Sequence, residues 1–137
     1  MKNVALISCV KSKRLEKSEA EILYTSTLFK SNLAYAKKIG SDEIYILSAL
    51  HGLLKLDDKI EPYEKTLNKM LKADREEWSK KVVSQLEELH IIENTNFIIL
   101  AGVKYREYIL PHLNEYSIPF KGLRFGEQLS KLKELIS

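Results

Sequence analysis

Hydrophobic and polar positions change their period along this chain, and the change repeats. Residues 4–8, 43–47 and 96–100 are short apolar runs rich in β-branched residues and Tyr, the pattern of buried strands, and residues 118–120 suggest a short fourth. Between them the apolar spacing lengthens to three and four. Phe29, Leu33 and Ala36 share one face of a helix that Ser26 can cap and Gly40 stops. Trp78, Val82, Val83, Leu86 and Leu89 form the stripe of a long helix over residues 75–90, with Asp74 as its expected cap. Residues 104–116 read as a further helix that Pro111 ends or kinks. Leu129, Leu132 and Ile136 give residues 127–136 one apolar face. Residues 9–21 read as a polar loop, and residues 49–63, with Gly52 and Pro62, as a long connection. Connections of that length in a compact domain usually carry function.

The resulting order is strand–helix, four times over. It predicts an α/β fold, a Rossmann-like three-layer sandwich with a mostly parallel sheet of about four strands joined by right-handed crossovers. The unbroken apolar strands agree, because strands covered on both faces lose the in–out alternation. Strand order is not written in the pattern. The order two-one-three-four would put the switch point between strands one and three and bring Cys9 near Gly102.

Composition narrows the class. With 137 residues and no repeat or Pro/Gly/Ser-rich linker, one domain over residues 1–137 is expected. No run nears the roughly 18 apolar residues of a membrane span, and the opening run at residues 4–7 is too short for a secretory signal. A single cysteine cannot form an internal disulfide, which fits a reducing cytoplasm. The net charge of +3 is modest, and most lysines stand near a Glu or Asp, the pattern of a solvated surface. The one local basic patch tied to a strand end is Lys11, Lys13 and Arg14.

Candidate chemistry gathers where strands end. Lys11 and Lys13 flank the run after Cys9; ammoniums there favour a thiolate or hold an anion, unless Cys9 only closes the strand and the lysines are solvated. The second strand leads into Ser48-Ala49-Leu50-His51-Gly52. Ser48 can orient a ligand hydroxyl or phosphate, and His51 either exchanges protons near neutral pH or fastens a turn. Gly52 permits a tight turn or a close ligand approach. Glu61-Pro62-Tyr63 offers a carboxylate on a rigid support, with Tyr63 as a ligand contact or a packing anchor. Tyr24 and Ser26 supply hydroxyls, and Gly102 precedes a helix whose first N–H groups favour anions. The Gly-rich patterns of P-loops and dinucleotide folds are missing, so no cofactor is expected. His51, His90 and His112 lack ligand spacing, so no metal is expected either.

Cys9-x-Lys11-x-Lys13, Tyr24-x-Ser26-x-Leu28-Phe29, Ser48-Ala49-x-His51-Gly52-Leu53 and Glu61-Pro62-Tyr63 together resemble a little-characterised family of small bacterial and phage proteins. Gly126-Glu127-Gln128-Leu129 is a further candidate motif of that family. The family is distantly similar to the YaaA-like proteins, which are connected by analogy with DNA binding and base modification. The resemblance implies a Rossmann-like sheet and leaves the chemistry unassigned. From these residues the expected function is an enzyme processing a nucleotide, nucleoside or modified base, by hydrolysis or transfer at an N-glycosidic bond. His51, Glu61 and Cys9 are its candidate catalytic groups; Lys11 and Lys13 would hold a phosphate, and Ser48 and Tyr24 the sugar. The alternative is a non-catalytic module that senses nucleotides or binds DNA. The expected partner is therefore a small anionic ligand or nucleotide, with DNA second and no membrane. No feature of the pattern speaks to oligomeric state.

Overall fold

The computed structural model describes residues 1–8 and 16–137. β1 (Lys2–Ser8) is followed by β2 (Ser18–Glu19), α1 (Ala20–Leu23), α2 (Thr27–Lys38), β3 (Glu43–Ser48), β4 (Gly52–Lys55) and β5 (Lys59–Ile60). A 3-10 turn at Leu67–Lys69 leads into α3 (Lys72–Glu88), β6 (Thr95–Leu100) and α4 (Val103–Arg106). A second 3-10 turn at Leu110–His112 precedes β7 (Glu115–Ser117) and α5 (Phe125–Ile136). The architecture is mixed α/β around a five-stranded, mostly parallel sheet of order β4-β3-β1-β6-β7, compatible with a Rossmann-like fold. Its four parallel strands follow the order two-one-three-four, so the switch point lies between β1 and β6.

Alternate residues of the strands feed two cores. Val4, Leu6, Tyr45, Leu47, Phe97 and Ile99 pack with Trp78, Val82, Val83 and Leu86 of α3. Ala5, Ile7, Ile46, Ile98 and Leu100 pack with Phe29, Leu33 and Ala36 of α2 and Leu132 of α5. Apolar cover on both faces explains why these strands are apolar throughout. Ser26 caps α2 as its sequence suggests, its Oγ accepting from the Phe29 N–H at 3.2 Å. Gly40, at φ +75°, ends that helix: its N–H donates to the Lys37 carbonyl and that of Ser41 to Ala36.

Several expectations need correction. The sheet has five strands rather than about four, because the stretch read as one long connection contains β4, which pairs antiparallel with β3, and β5, which pairs with β2. Its turn, Ala49-Leu50-His51, lacks the polar residues that usually announce a hairpin. The polar loop likewise contains β2 and the start of α1, a helix anchored by buried Ala20 and Leu23. Leu71, not Asp74, is the cap position of α3; Asp74 lies inside the first turn, where its charge suits the helix dipole. Leu89, expected in the stripe, sits at the C-cap and is exposed. The helix expected over residues 104–116 stops after one turn, since Pro111 lacks an N–H and disfavours helix before it. The last strand falls at Glu115–Ser117 rather than 118–120. Its three residues are exposed, and an edge strand needs backbone pairing more than apolar side chains.

Candidate functional site

The turn after β3 is held by one face of α3. Trp78 Nε1–H donates to the Ser48 carbonyl at 2.8 Å, and Lys81 Nζ donates to that of Leu50 at 3.4 Å. Gln85 reaches the turn twice: Nε2–H donates to the His51 carbonyl at 3.3 Å, and Oε1 accepts from the Leu53 N–H at 2.8 Å. Residues 78, 81 and 85 stand three and four apart, so they project side by side. Gly52, at φ +77°, completes the turn, and a Cβ there would lie 2.3 Å from Gln85 Oε1. Its glycine thus serves both a left-handed backbone and a close approach.

That turn presents Ser48 and His51 to two tyrosines. The Ser48 hydroxyl is buried, accepts from the His51 backbone N–H at 3.1 Å, and lies 2.6 Å from the Tyr63 hydroxyl. Tyr63 in turn lies 2.7 Å from the Tyr24 hydroxyl. The His51 ring meets Tyr63 edge-on, with centroids 5.6 Å apart. Tyr24 is buried against Phe29 of α2. Burial lowers the His51 pKa, the nearby Lys81 ammonium lowers it further, and Asp58 opposes both. At neutral pH the ring is therefore an uncharged imidazole, able to accept a proton.

A crevice opens at the switch point between the ends of β1 and β6. Ser8, Asn32, Gly102, Arg106, Phe120 and Gln128 line it, and its volume is about 60 Å³. Asn32 is 5 % exposed, and its Oδ1 has no hydrogen-bond partner among the described residues. Arg106 Nη1–H donates to the Ala101 carbonyl at 2.8 Å, and Gln128 Nε2–H to that of Leu123 at 2.9 Å.

A family model matches residues 4–134 of this sequence. The chain belongs to DUF6884, a family of unknown function. No curated protein matches it.

In this DUF6884 chain the expected residues divide into groups. Tyr24, Ser48, His51 and Tyr63 come together, and Gly52 shapes the turn that joins them. Ser26 spends its side chain on capping α2. Glu61 is exposed and takes no part in the hydrogen bonds of the cluster. Gly102 lines the crevice instead, and the helix it precedes has only four residues, too short for the expected anion cradle. Cys9, Lys11 and Lys13 lie outside the described residues. Among the described residues no group of three or more His, Cys, Asp or Glu side chains is placed to hold a metal ion. No described helix is long and apolar enough to cross a membrane.

Sequence reasoning missed Lys81, Gln85, Asn32 and Arg106. Gln85 carried a signal: it is a polar residue in line with the apolar stripe of Trp78 and Val82. Asn32 carried the same signal next to Leu33 on α2.

Proposed function

We infer that this chain processes a nucleotide or nucleoside at the carboxyl rim of its sheet, by hydrolysis or transfer at an N-glycosidic bond. One observation carries the reading. A half-buried imidazole stands beside three linked hydroxyls at the end of β3, the edge where open α/β sheets receive ligands. In hydrolysis, His51 takes a proton from the attacking water as its oxygen bonds to the sugar C1′. The C1′–N bond breaks, and the leaving nitrogen takes up a proton. Ser48 and Tyr24, buried and linked through Tyr63, fix the rim against which the sugar rests, and Lys11 and Lys13 attract a phosphate as point charges. Cys9 and Glu61 are kept in this reading as further candidate catalytic groups. The reading treats the fold as a Rossmann-like three-layer sandwich akin to the YaaA-like proteins, working in the cytoplasm. Helix-bearing cores on both sheet faces support that part.

The test is incubation with ribonucleosides and their 5′-monophosphates, followed by chromatography for free base. Base release is expected, and His51→Ala should slow it by about 10²- to 10⁴-fold. A chain that neither binds nor converts any member of the panel would overturn the reading.

The non-catalytic alternative, nucleotide sensing or DNA binding, draws on the position of Glu61. The carboxylate expected to share the proton chemistry is exposed and makes none of the hydrogen bonds that link the cluster. Binding that survives His51→Ala without any turnover favours sensing. Affinity for duplex DNA that falls steeply with salt favours DNA binding.

A further inference from the structure

The crevice between β1 and β6 has a chemical demand that its own residues do not meet. Asn32 Oδ1 is an acceptor enclosed to the point where solvent scarcely reaches it, and no described donor serves it. Buried polar atoms nearly always find a partner, so an exception asks what supplies the missing hydrogen. Across the same space stands Arg106, whose guanidinium carries five N–H donors and commits Nη1 to the Ala101 carbonyl. The crevice is therefore lined by both an acceptor and a cationic donor.

Few groups satisfy both. A carboxylate or a fully ionised phosphate only accepts, so it would meet Arg106 and leave Asn32 Oδ1 unserved. An ammonium only donates, so it would serve Asn32 and be repelled by Arg106. A hydroxyl donates and accepts at once. The crevice is small, about 60 Å³, with room for hydroxyl-sized groups.

We propose that the crevice between β1 and β6 binds the ribose hydroxyls of the ligand, with Asn32 Oδ1 accepting and Arg106 donating. The assignment rests on the nucleotide reading above and adds to it the choice of ribose over deoxyribose. Position agrees. Ser8, on the crevice wall, is paired in register with Leu47, the residue before Ser48. Neighbouring strands lie about 5 Å apart, so the crevice and the His51 turn share one rim of the sheet.

Equilibrium binding of adenosine, guanosine, cytidine and uridine 5′-monophosphates is compared with that of their 2′,3′-dideoxy counterparts, using the full chain. The ribonucleotides are expected to bind about tenfold more tightly. Asn32→Leu should cut that preference to about threefold or less while the melting temperature holds or rises. Should that variant fail to fold, the Asn32 side-chain amide signal of the unaltered chain decides. It is expected to shift with ribonucleotide and stay in place with the dideoxy form. Equal affinity for both sugars would overturn the crevice assignment and leave the nucleotide reading standing. A preference that survives Asn32→Leu in folded protein, or an amide signal that shifts equally with both, would do the same. Absence of all nucleotide binding would remove both.

Discussion

The hydroxyl cluster at the end of β3 and the crevice one strand away differ in how their polar atoms are served. In the cluster, the carbonyls of Ser48, Leu50 and His51 each accept from a side chain of α3, and Ser48 Oγ bridges the His51 backbone and Tyr63. In the crevice, Asn32 Oδ1 is enclosed without a donor. A satisfied buried network fixes one arrangement and keeps it with nothing bound. An unserved acceptor is a cost the fold carries until a donor arrives. The first region thus holds its shape for chemistry, and the second selects what enters. Substitutions of similar size should accordingly act with opposite sign in the two places.

The largest loss is expected at the hinge of the cluster. Gly52→Ala places a methyl group at φ +77° and within 2.3 Å of Gln85 Oε1. The left-handed backbone costs an alanine about 1–2 kcal/mol. Displacing Gln85 surrenders its bond to Leu53 N–H, about 1 kcal/mol more. Chemical denaturation should show a total loss of about 2–3 kcal/mol. A variant as stable as the parent would mean that α3 does not determine the turn.

Ser48→Ala comes next. It removes the acceptor for the His51 N–H and the partner of Tyr63 from a site with 0 % exposure. A loss of about 1–3 kcal/mol is expected. The comparison sharpens if Tyr63→Phe, which gives up the links to both Ser48 and Tyr24, loses a similar amount and the double variant loses less than the sum. Additive losses would show that the hydroxyls do not act as a linked set.

These two regions also differ in how far the sequence disclosed them. Ser48, His51, Gly52 and Tyr63 were legible because polar residues after an apolar strand have a limited set of uses, and strand ends in an α/β sheet share a rim. The partners of that turn were not. Lys81 and Gln85 lie over thirty residues away on α3, and only the pairing of β4 brings the turn beneath them. β4 itself was hidden because four residues with an apolar turn give too short a period to read. The crevice was less legible still. Asn32 sits on a helix face counted as core through Phe29, Leu33 and Ala36, and nothing local marks its amide as unserved. Arg106 shares the crevice with it only because β6 lies beside β1. Glu61 shows the converse: rigid backbone and a useful side chain suggested a role, while the chain turned it to solvent.

In the crevice the sign should reverse. Asn32→Leu keeps the number and branching of the side-chain heavy atoms and removes the orphaned acceptor, so stability should stay equal or rise by up to about 1 kcal/mol in the absence of ligand. A marked loss, comparable to that of Ser48→Ala, would place Asn32 among the structural groups of the core and erase the contrast.

The smallest effect is a pH dependence confined to the cluster. Burial and the Lys81 ammonium hold the His51 pKa below the ordinary imidazole value, against a weaker pull from Asp58. Between the folded and unfolded values the unfolded chain binds more protons. The contribution of His51 to stability is therefore complete above the unfolded pKa and is lost as pH falls through the folded one. A two-dimensional NMR titration should show the imidazole midpoint below about 6.5. Lys81→Met should move it upward by removing one of the two lowering causes, while burial keeps it from overshooting. Over the same interval, His51→Gln should flatten the fall in stability. An imidazole that titrates above its ordinary value would show it paired with an anion, and proton acceptance at neutral pH would lose its basis.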